Sequence, residues 1–501
     1  MSYAQIMPEI IVGVFALLTL IFSVTMFRGA AGYVAIAGLL LSLFSLCGLE
    51  PSASVQLPQI NSFNYNIDAF ATIFKAIFLS VALLISIASI DFIRGQKNRA
   101  EYYCLILFAT LGMMVVSSAA DLLTLYIGLE LAGISSYLLA AFTKHDKEST
   151  EAATKYMLMG AFFSAFFLFG VSMIYGATGS IALPDIAKGA GTVAFMGLLF
   201  IIAGFGFKMA AAPFHMWAPD VYGGAPTTVS GLLAGASKKM GFAAALRVLV
   251  FVPVIFHANL AIVLAVMALL SMTAGNIIAL SQRDMKRMLA YSSIAQAGYI
   301  LIGLAVMGGI PEPRFAVGAS ILYMIIHAFM KAGAFIAVAA VAYMAMGNKQ
   351  ICRTNLVPRD CGGNHEGNVN DYIGLAKKAP ITAFCMMVFL LSLAGIVPLG
   401  GFVGKLFLLI AAFKAGTLGL ILGIGLIVNS IISCYYYGRV IKYMYFVPSD
   451  GKRQKEPLAF VIPMLIAAAI VIIAGVYPVP FIDAAMNTAG SLISAAGVVA
   501  P

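Results

Sequence analysis

Residues 196–217 read MGLLFIIAGFGFKMAAAPFHMW, and this stretch determines how the surrounding chain can fold. The apolar run of which it is part, residues 192–217, is longer than the roughly 20 residues that a helix needs to cross a bilayer. It nevertheless contains Lys208 and, five residues later, Pro213. Proline breaks a helix, and broken helices at membrane depth are tolerated only around cavities or buried protein. The stretch therefore predicts a discontinuous membrane-spanning helix with a buried lysine.

The rest of the chain has the same character. Of its 501 residues 62% are hydrophobic and 10% are charged, whereas a soluble domain carries about 25% charge. The composition predicts an all-α integral membrane protein with lipid as its main solvent. Fourteen segments qualify as spans, namely 5–27, 31–48, 70–92, 101–119, 121–143, 149–176, 192–217, 226–252, 256–281, 286–308, 316–346, 380–411, 416–438 and 457–482.

The basic residues predict an orientation. The net charge is +10, but the charges are dispersed over short loops, which excludes a nucleic-acid surface. With the N-terminus outside, 19 basic residues fall in cytoplasmic loops and four on the other side, namely Lys188, Arg247, Arg314 and Lys414. Cytoplasmic loops of membrane proteins are rich in lysine and arginine. We therefore expect a multi-pass protein of the cell membrane with both termini on the non-cytoplasmic side.

Seven further basic residues fall inside the predicted spans, namely Lys75, Lys155, Lys208, Lys238, Lys239, Lys331 and Lys405. Each charge at the bilayer centre costs at least about 2.5–3.5 kcal/mol on insertion scales. Snorkelling of the side chain to the interface would account for Lys75 and Lys155. It accounts poorly for Lys238, which lies about 18 Å into its span at 1.5 Å per residue.

An internal repeat organises the spans. Tyr156-Met157 matches Tyr323-Met324 at an offset of 167, and residues 131–133 resemble residues 296–298 at an offset of 165. Spans 4–8 and 9–13 then form two five-helix units, and the odd number makes the second unit inverted, as in ion transporters. The competing explanation is chance similarity among apolar helices.

The predicted organisation has four parts: an N-terminal three-helix segment (1–100), the first five-helix repeat (101–252), the inverted second repeat (253–444) and a C-terminal helix with its tail (445–501). A polar cytoplasmic loop near 348–379 interrupts the second repeat. Lys405 follows Pro398 by seven residues, so the twelfth span is discontinuous and carries a lysine that corresponds to Lys208.

Proton transfer is the chemistry that buried amines in such positions favour, because burial stabilises the neutral form of an amine and allows it to release and regain a proton. Glu130 lies near the midplane of its span, and Lys155 is a candidate partner for it. A structural ion pair is the alternative. The predicted relay residues are Glu130, Lys155, Lys208, Lys238 and Lys405. Further candidates are Lys239, His215, His327 and Lys331, although the histidines are equally compatible with hydrogen-bonded core residues.

Cofactor motifs are not found in the sequence. We find no Walker-type phosphate loop, no dinucleotide fingerprint and no cluster of four metal-ligand cysteines. Cys352 and Cys361 share a polar loop with His365, but without the spacing of a zinc site. We therefore expect neither a cofactor nor a metal in this chain.

Several motifs resemble one known family. Residues 208–230 and the continuation through Ala236-Ser237-Lys238 closely resemble the signature of the antiporter-like subunits of respiratory complex I, most of all the N-type subunit. Residues 7–11, 283–299 and 398–405 extend the similarity over nearly the whole chain. The lysine at position 405 resembles the residue of N-type subunits, since M-type subunits carry glutamate at the matching position. The histidine at 327 and the lysine at 331 instead resemble the residues of L- and M-type subunits.

The resemblance implies a subunit of a redox-driven proton pump. Glu130 and Lys208 would load the proton, with Lys155 beside them, Lys238 as the central relay and Lys405 as the exit-side relay. M-type and small K-type subunits would be neighbours in the membrane, and partner subunits would hold the flavin and iron–sulfur clusters. NADH, ferredoxin and deazaflavin donors, with quinone or methanophenazine as acceptor, all remain open. The alternative is a sodium/proton antiporter subunit of the Mrp type.

Overall fold

The computed structural model describes residues 6–24, 28–48, 53–56, 64–143, 146–345, 367–449 and 452–495. Cys352, Cys361 and His365 lie outside these ranges, and so does most of the predicted polar loop. The described chain is almost entirely helical. Its helices are α1 Met7–Val24, α2 Ala31–Cys47, α3 Ala69–Phe92, α4 Arg99–Ser118, α5 Leu122–Ala140, α6 Lys147–Thr178, α7 Gly191–Met209, α8 Trp217–Gly224, α9 Thr227–Leu232, α10 Lys238–Leu249, α11 His257–Ser281, α12 Met285–Val306, α13 Pro313–Ala345, α14 Leu375–Lys378, α15 Pro380–Ala394, α16 Gly400–Phe413, α17 Gly416–Tyr445, α18 Leu458–Val476 and α19 Val479–Ala495.

Eleven of the described helices are long and apolar enough to cross a membrane, namely α1, α3–α7, α11–α13, α17 and α18. Three shorter apolar helices, α2, α15 and α16, accompany them. Many large apolar side chains on α1, α2 and α17 are exposed, as the outer surface of a membrane protein requires. The chain is therefore a multi-pass helical membrane protein.

Helix α13 forms the centre of the bundle. Its apolar stretch of 18 residues is completely buried. The helix packs against α3, α9, α12, α15, α16, α18 and α19. Helix α12 beside it is 94% buried over its apolar window. Peripheral helices such as α1 and α6 bury 28% of theirs. Polar groups on α12 and α13 are consequently far from lipid.

The predicted discontinuities are observed. Helix α7 ends at Met209, where Ala210 adopts a left-handed conformation (φ 49°), and α8 begins only at Trp217. Helix α15 ends at Ala394, and α16 starts at Gly400. A third irregularity was not predicted: Leu233–Ser237 is π-helical and joins α9 to α10 in one continuous helix. Lys238 follows this segment directly.

The structure corrects the C-terminal prediction. A single span was predicted over residues 457–482, but helix α18 ends at Val476. A second helix, α19, occupies the region that was expected to be a tail. The sequence analysis also missed a two-stranded antiparallel hairpin of β1 Ala53–Gln56 and β2 Asn64–Ile67 between α2 and α3. Short strands carry too little periodicity to be recognised between long apolar runs.

Carboxylates fix several helix ends. Asp68, Asp121 and Asp284 each accept a hydrogen bond of 2.7 Å from a backbone N–H in the first turn of α3, α5 and α12. Glu456 does the same for α15 from a distant part of the chain, at 2.7 Å to the Thr382 N–H. N-terminal amides of a helix have no partner within the helix, so these caps define where each helix begins.

Arg247, which the charge count assigned to the non-cytoplasmic side, is buried inside the bundle. Its side chain is 1% exposed, pairs with both oxygens of Asp68 at 2.6 and 2.7 Å, and donates to the Ser117 carbonyl at 2.7 and 3.0 Å. It lies 4.6 Å from the ring of Phe70. A fixed guanidinium fork suits such a two-pronged contact, which ties α10 to the start of α3 and the end of α4.

Arg247→Met should destabilise the protein by about 3 kcal/mol or more, because it leaves the Asp68 carboxylate without its charge partner. Thermal unfolding of the detergent-solubilised protein measures the effect. The double variant Asp68→Asn/Arg247→Met should recover part of the loss. Arg314→Met, which removes an exposed arginine, is the control and should change stability little. Equal stability of Arg247→Met and the control would contradict a stabilising role of the pair formed by Arg247 and Asp68.

Candidate functional site

The buried cations fall into two groups. Lys208, Lys238, Lys239, Lys331 and Lys405 are between 0% and 6% exposed, and in the described part of the chain none of them forms an ion pair with a carboxylate. Their ammonium groups bond instead to backbone carbonyls and hydroxyls. An isolated buried charge without a partner is expensive, so these amines are suited to gaining and losing a proton.

Lys208 occupies the last turn of α7, where the helix breaks. Its Nζ donates to the Leu129 carbonyl and to the Tyr137 hydroxyl of α5, each at 3.3 Å. A β-carbon on Gly133 would lie 2.5 Å from this nitrogen, so the absence of a side chain there creates the space for the ammonium. Lys208 is thus held against α5 by a steric slot as well as by hydrogen bonds.

Glu130 lies next to this slot. It accepts a short hydrogen bond from Ser164 of α6, and a small cavity between α5, α6 and α7 is lined by both Glu130 and Lys208. The two charged groups do not form a direct ion pair among the described residues. The cavity is thus lined by both a carboxylate and an amine, the two kinds of group between which a proton can pass.

The predicted pairing of Glu130 with Lys155 is wrong. Lys155 is 45% exposed and bonds to Glu151 at 2.8 Å and to Asp220 at 2.9 Å. The residue of α6 that reaches Glu130 is Ser164, nine residues further along the helix. Nine residues correspond to about 14 Å, more than a lysine side chain can span. Lys155 therefore belongs to an exposed charged cluster at the beginning of α6.

Lys238 and Lys239 lie in the middle of the bundle. Lys238 donates to Ser293 Oγ of α12 at 3.1 Å, and its Nζ lies 5.9 Å from the ring of Tyr222. Lys239 turns back to the Ala234 carbonyl in the π-helical segment. Both neighbours are buried, at 2% and 0% exposure.

Lys331 of α13 is completely buried and bonds to α12. Its Nζ donates to the Leu289 carbonyl at 2.9 Å and to Ser292 Oγ at 2.6 Å. Ser292 in turn lies 2.5 Å from the Tyr437 hydroxyl of α17. A continuous chain of exchangeable protons therefore runs from Lys331 to α17.

A second polar network lies beside Tyr437 and approaches Lys405. The ring of Tyr436 lies 4.4 Å from that of Tyr437, and the Tyr436 hydroxyl donates to Asn276 of α11 at 2.8 Å. Asn276 donates to the Tyr299 hydroxyl at 3.0 Å, and the Tyr299 ring lies 4.9 Å from Lys405 Nζ. The side chains of Tyr436, Asn276 and Tyr299 thus lead from Tyr437 towards Lys405.

Lys405 of α16 binds the end of the other half of its broken helix. Its Nζ donates to the Leu393 and Ala394 carbonyls at 2.9 Å each, just before Gly395 (φ +90°). The last carbonyls of a helix have no partner within the helix and form the negative end of its dipole. The break in α15 therefore supplies the oxygen atoms that hold the ammonium.

His327 lies between these lysines with no hydrogen bond to either ring nitrogen within the described residues. It is 2% exposed, stacks on Tyr323 with ring centroids 5.9 Å apart, and is within electrostatic range of Lys238, Lys239, Lys331 and Lys405. A satisfied core histidine, the alternative considered for this residue, does not match the contacts. His215 lies apart, half-buried in the segment between α7 and α8, and its Nδ1 likewise has no described partner.

Sequence reasoning missed the polar face of α12. Ser292, Gln296 and Tyr299 recur at the i, i+4, i+7 spacing of one helix face. Gln296 accepts from Tyr323 and donates to the Leu393 carbonyl at 3.2 Å, the same oxygen that receives Lys405. The spacing is present in the sequence, although none of the three residues is charged.

Lys75 was set aside as a snorkelling residue, and this interpretation is wrong. It is 1% exposed and lies 2.6 Å from Glu9 Oε1. Like Arg247, and unlike the five unpaired lysines, it is buried together with a carboxylate.

The sequence matches the family described as NADH:quinone oxidoreductase/Mrp antiporter, transmembrane, over residues 118–433. It is 41% identical over 502 aligned residues to F(420)H(2) dehydrogenase subunit N of Methanosarcina mazei, covering 97% of this chain and 98% of that protein. It is 40% identical to NADH-quinone oxidoreductase subunit N of Moorella thermoacetica, with 92% of each covered.

Solved structures give the same picture. A chain of respiratory complex I from Thermus thermophilus superposes with a TM-score of 0.78 at 30% identity, covering 95% of this chain and 98% of that one. A chain of the Mrp complex from Dietzia superposes with a TM-score of 0.86 over 99% and 98% of the two chains. Its 20% identity shows the shared fold alone.

Gly133→Ala should displace the Lys208 ammonium from the Leu129 carbonyl and the Tyr137 hydroxyl, because the new β-carbon would occupy its position. Electron cryo-microscopy of the variant shows the displacement directly. The control is Gly176→Ala on α6, where an added β-carbon meets nothing within 4 Å. An unmoved Lys208 side chain in the Gly133 variant would contradict the claim that the missing side chain of Gly133 makes room for the ammonium group.

Proposed function

The chain belongs to the NADH:quinone oxidoreductase/Mrp antiporter transmembrane family, and we propose that it is an N-type, proton-translocating subunit of the membrane arm of a redox-driven pump. The observation that carries this proposal is the row of five buried lysines that have no carboxylate partner among the described residues. The names of the relatives, subunit N of two kinds of oxidoreductase, support it. The chain itself would move protons, while electron transfer takes place in partner subunits.

The proposed path begins at Glu130 and Lys208, which share a cavity. It continues through Lys238, with Lys239 beside it, and ends at Lys405. Between the last two positions, Lys331 connects to α17 through the hydroxyls of Ser292 and Tyr437. His327 lies within electrostatic range of both Lys238 and Lys405. Each transfer moves one proton and leaves a neutral amine behind, which lowers the electrostatic cost for the next proton. Lys155, which is exposed beside Glu151 and Asp220, lies outside this buried path.

Fourteen crossings and two inverted repeats would complete this architecture. Helix α2, the continuous helix 227–249 and the broken helix α15–α16 each count as one crossing beside the eleven long helices. The close approach of neighbouring helices supports the repeat: a β-carbon on Gly112 would strike the Ala132 nitrogen, and one on Gly275 would strike the Ala295 nitrogen. Both contacts shift by 163 positions between the two units, two fewer than the offset of the matching residues 131–133 and 296–298.

The proposed setting is the cell membrane, with both termini on the non-cytoplasmic side and M-type and small K-type subunits alongside. Flavin and iron–sulfur clusters would reside in the partners. The second candidate is an antiporter subunit of the Mrp type, which the shared fold with the Dietzia complex keeps open. Lysine rather than glutamate at position 405 favours the redox pump.

Lys208→Ala and Glu130→Gln should each lower proton pumping by the assembled complex by about two orders of magnitude or to background, because general acid–base groups contribute factors of that size. Acidification of sealed vesicles during donor oxidation measures pumping. Lys188→Met is the control, since it removes an exposed lysine of the segment before α7. Undiminished pumping in both relay variants would refute the proton-loading assignment.

Native purification should recover the chain with subunits that hold flavin and iron–sulfur clusters. Optical and paramagnetic resonance spectra of the purified complex detect both groups. A complex that lacks redox centres and exchanges sodium for protons across vesicles would instead establish the antiporter alternative.

A further inference from the structure

Glu9 and Lys75 form a buried ion pair that the proposed path does not use. Glu9 lies in the first turn of α1, and Lys75 lies in the second turn of α3. The two are 8% and 1% exposed, and Lys75 Nζ lies 2.6 Å from Glu9 Oε1. Both helices begin on the same side of the bundle as the hairpin between α2 and α3.

Tyr65 of β2 covers this pair. Its hydroxyl donates to Glu9 Oε1 at 2.6 Å, and its ring lies 5.1 Å from Lys75 Nζ. The second carboxylate oxygen, Glu9 Oε2, has no hydrogen-bond partner among the described residues. Buried carboxylate oxygens are normally satisfied, so this atom is available to accept a proton.

The neighbouring pair of Asp68 and Arg247 has a different chemistry. Arg247 uses both arms of its guanidinium on Asp68, and an arginine does not release its proton in proteins. A lysine beside a carboxylate can transfer one, which turns the ion pair into a neutral amine and a neutral acid. The pair of Asp68 and Arg247 is therefore a permanent ion pair, whereas the pair of Glu9 and Lys75 can exchange a proton.

Lys75 lies at nearly the same level along the bundle as Lys239. Val81 and Ile85 of α3 pack on Gly235 and Gly231, so α3 runs antiparallel to the helix that carries Lys239. Counting six residues back from Val81 to Lys75, and four forward from Gly235 to Lys239, places their α-carbons within about 3 Å of the same level. Helix α3 packs directly on the π-helical segment and on α13, the helix of Lys331.

We propose that Glu9 and Lys75 form a second proton-exchange site, which connects the buried lysine row with the end of the bundle where α1 and α3 begin. This inference rests on the proposed function. In the step, the N–H bond of Lys75 breaks and an O–H bond forms on Glu9. Glu9 then releases the proton at the surface near Tyr65 and regains its charge, and Lys75 takes a new proton from the lysine row.

A purely structural role is the competing explanation, and it makes a different prediction. Removing one partner of a buried ion pair is strongly destabilising, whereas replacing both with uncharged residues of similar size is often neutral. A structural pair should therefore be dispensable as a pair. A proton-exchange site should not be.

The test compares Glu9→Gln/Lys75→Met with the unmodified complex and with Lys238→Met, using protons moved per electron in sealed vesicles. We expect the double variant to assemble, to oxidise the donor when an uncoupler is present, and to lose as large a fraction of its proton-to-electron ratio as Lys238→Met. Lys188→Met serves as the exposed-lysine control and should keep the full ratio.

A full proton-to-electron ratio in the double variant, with a reduced one in Lys238→Met, would overturn this inference and leave the proposed function intact. A full ratio in Lys238→Met would overturn the proposed function instead. If the double variant does not assemble, Lys75→Arg is measured instead, because arginine keeps the ion pair with Glu9 and does not release its proton. A full ratio in Lys75→Arg overturns the proposal, and a ratio as low as that of Lys238→Met supports it.

Discussion

The structure depends on how an amine is accommodated inside a membrane protein without a carboxylate beside it. Lys405 solves the problem with the free carbonyls at the end of α15, and Lys331 with a carbonyl and a serine of α12. Partial negative charge of this kind lowers the cost of a protonated lysine without neutralising it. A site of this kind would tolerate both protonation states, as the proposed proton carrier requires. For Lys405, the break between α15 and α16 supplies these oxygen atoms inside the bundle.

Charge pairing distinguishes the structural cations from those proposed to carry protons. Arg247 is locked to Asp68 by two hydrogen bonds and fastens three helices. The five unpaired lysines face carbonyls, hydroxyls and aromatic rings instead. Lys75 lies between these classes, since it has a carboxylate partner but an exchangeable proton. The contacts of a buried cation, more than its burial, thus indicate its role.

Much of this arrangement could be predicted from the sequence. Apolar length located most helices, and Pro213 and Pro398 located the two breaks, because the chemistry of proline is local. What failed depended on tertiary contacts. The partners of Lys75 and Arg247 lie 66 and 179 residues away, so no local pattern could show that both are buried. Lys155 was misplaced because depth along a helix says nothing about which neighbouring helix it faces. The polar face of α12 was missed although its spacing was present.

The central claim is that the buried lysines exchange protons during turnover. Solid-state NMR of the assembled complex with ¹⁵N-labelled lysine side chains measures this directly, because ammonium and neutral amine nitrogens resonate at different shifts. Resonances assigned to Lys208, Lys238 and Lys405 through methionine variants should change between the resting complex and the complex supplied with donor. Resonances that keep the shift of a permanent ammonium group in both states would contradict the account.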